Sequence, residues 1–226
     1  MTADAAGQVN FQRDAAARRA LPAACGALAA DLADAAPARQ LALLQDTRPL
    51  HRALFAPLLP PARRGFAGQY RGTPGTPVER SARAVFVARR APGLKPRDLC
   101  TPAAEVAAAM AALAQRIEAL WRAAEPAPPS PDAAFAQLAE VSHGFLAVHP
   151  YVDGNGHVFR LTLPVFAARL GLAARPDWTA HPRPYDHVLS LCLQWYPHHP
   201  LLLACYLRRW FDPAATRDNA SRLTRP

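Results

Sequence analysis

The sequence predicts an all-α fold carrying one small β-hairpin, and three observations lead to that class. Apolar residues recur at helical spacing in two long stretches, first Val106, Met110, Leu113, Ile117 and Leu120, then Phe135, Leu138, Val141, Phe145 and Val148. The same spacing resumes at Val158, Leu161, Val165 and Ala168 and stops at Gly171, a residue suited to ending a helix. The one β-prone stretch, Ala84-Val85-Phe86-Val87, is short and sits among glycines and prolines.

Taken in order, residues 1–45 form an alanine-rich N-terminal extension in which Pro22 and Pro37 are expected to end helices, giving two short ones. Leu50, Leu54 and Leu58 then recur every four residues until Pro60 and Pro61 stop the helix. The glycine- and proline-rich stretch that follows reads as a protruding loop or small hairpin. Thr101 is placed to cap the next helix, with Pro102 at its first position. Residues 126–131, PAPPSP, read as a linker. One or two further helices, interrupted at Pro197 and Pro200, complete a main domain over residues 46–212, and residues 213–226 form a polar tail.

At 226 residues the chain is long enough to bury one substantial core. No apolar run approaches the roughly 18 residues that would span a bilayer, and the first residues lack a basic region followed by an apolar one, so a cytoplasmic protein with no membrane partner is expected. Cys25, Cys100, Cys192 and Cys205 are scattered without C-x-x-C spacing, which argues for buried thiols over a zinc ribbon or redox pair. The formal charge of +9 suggests an anionic partner. That charge is nearly all arginine, with Lys95 the sole lysine, as in a chain shaped by GC-rich codons. The arginines are dispersed and no nucleic-acid motif is present, so a phosphorylated small molecule is favoured over nucleic acid.

The chemistry concentrates in residues 149–160, HPYVDGNGHVFR, between two helical patterns. Three readings compete. Asn-Gly is a common hairpin turn, but helical periodicity on both sides opposes a hairpin. His143, His149, Asp153 and His157 offer nitrogen and oxygen donors for zinc or iron, as in a metal-dependent hydrolase, yet they match neither H-E-x-x-H nor an EF-hand loop. A phosphate cradle uses the most residues. Gly154, Asn155 and Gly156 lead into a helix N-terminus, where backbone N–H groups and the helix dipole attract anions. Asp153 can hold Mg2+ against phosphates, and Arg160, one turn into the helix, can neutralise them. His149 is the residue type that takes a proton from a hydroxyl near neutral pH.

These twelve residues resemble the Fic family signature, His-Pro-Phe-x-Asp/Glu-Gly-Asn-Gly-Arg-x-x-Arg, with Tyr151 in place of Phe and His157 in place of the first Arg. LHRALF at 50–55 and AGQYR at 67–71 resemble the family's lead-in helix and the segment before its flap, so that the likeness extends over roughly residues 45–211. The resemblance implies an all-helical Fic fold that transfers AMP, or a related moiety, from ATP or another nucleoside triphosphate to a Tyr, Ser or Thr hydroxyl of a target protein. His149 would be the base, Asp153 the Mg2+ ligand, and Gly154, Asn155 and Gly156 the anion hole, with His157 and Arg160 completing the nucleotide site. Val85, Phe86 and Val87 would form the flap that docks the target's extended chain by β-augmentation. Tyr151 keeps an aromatic in the core, but its hydroxyl then needs a partner. His157 removes a permanent cation, which leaves an altered donor or a binding module as the alternative. Many members carry an inhibitory Ser/Thr-x-x-x-Glu-Gly/Asn helix; here the nearest string, Thr101 to Glu105, runs on into Val106, so control by a separate inhibitory protein is expected over self-inhibition.

Overall fold

The computed structural model describes residues 15–79, 100–181, 187–196 and 198–214. Within them eight α-helices run in chain order: α1 (Ala15–Asp34), α2 (Pro37–Gln45), α3 (Arg48–Phe55), α4 (Val106–Ala123), α5 (Pro131–Val148), α6 (Asn155–Arg169), α7 (His187–Trp195) and α8 (Pro200–Leu207). Two three-residue strands, β1 (Leu172–Ala174) and β2 (Phe211–Pro213), pair antiparallel with Ala173 opposite Asp212. The all-α expectation holds, and the expected boundaries change in four places.

Pro22 does not end a helix: it lies inside α1, which continues because Leu21, Cys25 and Leu32 are buried in the same core as Leu54 and Phe166. Pro37 instead starts α2, at a position whose N–H no helix uses. In the third helix, α geometry stops at Phe55 and a single tighter turn, Ala56–Leu58, carries the chain to Leu59, which is buried where Leu58 is not. Thr101 does not cap α4, which begins at Val106 behind a short 3-10 turn, Ala103–Glu105. Thr101 is tied elsewhere, giving its N–H to the Ala147 carbonyl at 3.1 Å.

The two small strands left no trace in the sequence, because three-residue segments pairing through backbone need no alternation of side chains. Their ladder is extended by Arg175 N–H to Trp210 O at 2.8 Å and Ala214 N–H to Gly171 O at 2.8 Å. Gly171 itself has φ +76°, the left-handed turn that ends α6 as expected.

The stripe Val106, Met110, Leu113, Ile117 and Leu120 of α4 is buried, as is the stripe Phe135, Leu138, Val141, Phe145 and Val148 of α5. The linker's last residues begin α5, with Pro131 at its first turn and the Ser130 hydroxyl accepting from Ala133 N–H at 3.4 Å. α6 is buried on nearly every side and forms the centre of the bundle, with α1, α2 and α5 packed against it. The start of the glycine-rich stretch does not protrude, since Tyr70, Arg71 and Val78 are buried. The β-prone stretch with Val85, Phe86 and Val87 lies outside the described residues.

Candidate active site

The site is the loop that joins α5 to α6, and it is built by contacts from distant segments. α5 is capped by the next residue, His149, whose backbone is left-handed at φ 49° and ψ 62°, the one positive φ outside glycine among the described residues. Asn155, first in α6, closes the loop onto itself. Its Oδ1 accepts the Tyr151 N–H at 2.9 Å and its Nδ2 donates to the Tyr151 carbonyl at 2.8 Å. The Asn155 side chain is therefore a loop clamp.

Tyr151 is fully buried, stacked on His51 with ring centroids 3.8 Å apart, and its hydroxyl shares a 2.6 Å hydrogen bond with Thr47. This is the partner that a tyrosine in place of phenylalanine requires. Burial pushes its pKa well above the usual tyrosine value. His51 holds two loops together: Nδ1 accepts the Gly68 N–H at 2.9 Å, so the proton sits on Nε2, which donates to the Asp153 carbonyl at 3.0 Å. Its burial lowers the pKa to about 4, and the ring stays neutral.

Asp153 is half-buried, and its Oδ1 accepts the Gly154 N–H at 2.8 Å. Gly154 has φ +85°, and a Cβ there would come within 2.7 Å of the Phe55 ring. Only glycine fits against α3 at that point. The Gly154 carbonyl takes the N–H groups of His157 and Val158 at 3.0 and 3.1 Å, while the first amides of α6, those of Asn155 and Gly156, have no helical carbonyl four residues back. A half-buried carboxylate beside helix-start amides is a donor set that fits Mg2+ shared with phosphate oxygens.

His157 and Arg160 point inward. His157 is fully buried, its Nε2 lies 3.2 Å from Nδ1 of His181, and Phe55 meets its ring edge-on at 5.7 Å. Arg160 is 5% exposed, its guanidinium 4.2 Å from the Trp178 ring and its Nη1 donating to Thr179 O at 3.2 Å. Pro164, ten residues into α6, explains this placement. Lacking an N–H, it leaves the Arg160 carbonyl without its helical donor, and that carbonyl accepts the Trp178 indole N–H at 3.0 Å instead. Arg160, Pro164 and Trp178 also line a cleft of about 240 Å³ against Ala29, Ala33 and Gln40.

His143 lies apart from the loop's contacts, stacked on Tyr196 at 4.2 Å, and burial lowers its pKa. No group of three His, Cys, Asp or Glu able to hold a metal occurs among the described residues, so the histidine-cluster hydrolase gains no support there. His51, Arg71, Thr47, Trp178 and His181 all build the site, and none was singled out individually from the sequence. The first two lie in LHRALF and AGQYR, so the resemblance did mark their segments.

The Fic/DOC family profile matches residues 42–167, more than half of the chain, and spans α3, the loop and most of α6. The chain belongs to the Fic/DOC family. No curated protein and no solved structure matched it. Fic proteins act on protein targets and are generally transferases using a nucleoside triphosphate, often with Mg2+. The Arg160 cleft is built partly from outside the matched residues: Arg160 and Pro164 fall within them, while Ala29, Ala33 and Gln40 come before and Trp178 after. No described helix of this Fic chain is long and apolar enough to cross a membrane.

Proposed function

We propose that this Fic protein moves AMP, or a related nucleotide moiety, from ATP or another nucleoside triphosphate to a Tyr, Ser or Thr hydroxyl of a target protein. The reading rests on the loop itself, in which His149 follows α5, the opening amides of α6 come six residues later, and the Asp153 carboxylate between them in sequence accepts the Gly154 N–H. His149 takes the hydroxyl proton as the oxygen attacks the α-phosphorus. The bond to the β-phosphate oxygen breaks and pyrophosphate leaves. The amides of Asn155 and Gly156 stabilise the charge on the phosphates, with the α6 dipole behind them. Asp153 would hold Mg2+, which supplies charge neutralisation to the phosphates. Val85, Phe86 and Val87 belong to this reading as the target-docking strand, and a separate inhibitory protein as the control.

A second reading, a Fic protein with another donor or a nucleotide-binding module, is favoured by one observation. Both cationic positions of the motif, His157 and Arg160, are turned into the interior. Incubation with ATP, GTP, UTP and CTP labelled at the α or γ phosphorus, with wild type, His149→Ala and Asp153→Ala, separates the two. AMP transfer gives α-label from ATP on protein, lost by about 10²- to 10⁴-fold in His149→Ala while nucleotide still binds. Label from a different nucleotide, or tight binding with no label, replaces it with the second reading.

A further inference from the structure

Arg71 is 1% exposed, among the largest fully buried side chains, and its Nε and Nη2 donate to main chain. Its Nε donates to the His149 carbonyl at 2.8 Å, and its Nη2 donates to the Val148 and Thr101 carbonyls at 3.0 Å each. Its own backbone N–H donates to the Pro150 carbonyl at 2.8 Å. One residue thus grips three successive carbonyls, 148, 149 and 150. The peptide planes before and after His149 are the two whose orientations set its φ and ψ, and Arg71 holds both.

That grip has a specific task. A left-handed residue at a helix end is usually glycine, because a Cβ there costs about 1–2 kcal/mol. Position 149 carries an imidazole in the left-handed region, so the conformation persists only where its surroundings over-determine it. A cation also suits the C-terminal end of α5, where the helix dipole is negative and the last carbonyls lack helical donors. The φ and ψ of His149 in turn set the direction of its Cα–Cβ bond, and with it the origin of the ring. We propose that Arg71 is the positioning residue for His149, aiming the imidazole by fixing the two peptide planes that flank it. The same guanidinium ties down residue 101, so the chain between 72 and 100 leaves and returns beside the base.

The inference rests on His149 acting as the base, and its test reads both activity and geometry. Arg71→Lys keeps the charge but not the planar fork, and Arg71→Met removes both. Each is compared with wild type for kcat of transfer, for nucleotide Kd, and for the backbone and ring chemical shifts of His149 by NMR, at a temperature well below its own unfolding midpoint. We expect kcat to fall by about 100-fold in Arg71→Met, as for a misplaced catalytic group, and less in Arg71→Lys. Nucleotide Kd should stay within about twofold, and the His149 shifts should leave their left-handed values. A folded variant with unchanged kcat overturns the proposal, and so does a fall in kcat matched by an equal loss of nucleotide affinity. Variants that fold at no temperature also overturn it, leaving Arg71 a purely structural residue. A wild type that transfers nothing removes the transferase reading, and the NMR shifts alone then decide whether Arg71 positions His149.

Discussion

The ring nitrogens of His157 and His181 meet at 3.2 Å, Nε2 to Nδ1, with the rings near-parallel at 18°. In a hydrogen bond between two imidazoles one facing nitrogen carries the proton and the other accepts it, so the two rings must hold complementary tautomers. With Phe55 on another side and no exposure, position 157 is packed for an imidazole. Arg in that space is larger and permanently charged. We expect His157→Arg to lower stability by about 1–3 kcal/mol from overpacking. Adding His181→Ala, which vacates the neighbouring space, should return more than half of the loss. Urea midpoints of the two variants check this, and a His157→Arg protein as stable as wild type refutes the packing account.

His51 gives a pH dependence with a defined sign. Its native pKa is lowered to about 4 by burial, against an ordinary value of 6.5. Above pH 6.5 the ring is neutral in both folded and unfolded chains, and its stabilising contacts are fully present. As pH falls from 6.5 toward 4, the unfolded chain takes up a proton that the native ring refuses, so stability drops. Two and a half pKa units correspond to about 3 kcal/mol lost across that window. Urea unfolding at a series of pH values should show this fall in wild type, and a shallower one in His51→Gln. Parallel slopes in the two proteins would exclude His51 as the source.

Thr47 and Tyr151 supply a coupling test. Their hydroxyls share a 2.6 Å bond at positions 2% and 0% exposed. Thr47→Val leaves the tyrosine hydroxyl buried without that partner and should cost about 1–3 kcal/mol. Tyr151→Phe in the same protein removes the stranded hydroxyl and keeps the aromatic ring. The double variant should therefore be more stable than Thr47→Val alone, and additive losses in a double-mutant cycle contradict the pairing.

The helices and the loop were legible because they leave local marks. The stripes of α4 and α5 repeat at helical spacing, Gly171 ends α6 as its position suggests, and the loop's residue types state their chemistry. The side-chain directions in α6 were not legible. A helix buried on nearly every side has no polar face, so nothing in the sequence separated the inward turn of His157 and Arg160 from an outward one. The supporting residues were hidden for a different reason. Arg71 reaches His149 across 78 residues, Thr47 reaches Tyr151 across 104, and His157 meets His181 across 24. Contacts of that range, several of them to backbone, impose no period on the chain. Pro22 misled because burial of Leu21 and Cys25 outweighed a local helix breaker.

Pro164 and Trp178 offer the sharpest test of how the Arg160 region is assembled. The proline leaves the Arg160 carbonyl without a helical donor, and the Trp178 indole N–H fills the vacancy at 3.0 Å in a site where Trp178 is 8% exposed. That bond seats the indole, and the seated indole carries the Arg160 guanidinium on its face. Trp178→Phe keeps an aromatic ring but loses the N–H, stranding a buried carbonyl at a cost of about 1–3 kcal/mol, besides the lost ring area. Pro164→Ala supplies a backbone N–H aimed along the helix at the same carbonyl. In the Pro164→Ala background the carbonyl has a second donor, so Trp178→Phe should cost less there than in wild type by about 1 kcal/mol or more. Pro164→Ala alone should be close to neutral or stabilising, since a helix-interior proline is itself unfavourable by about 3 kcal/mol and the indole bond it displaces is worth less. Four unfolding curves complete the cycle. Equal costs of Trp178→Phe in both backgrounds would show that the proline and the indole are not linked through the Arg160 carbonyl.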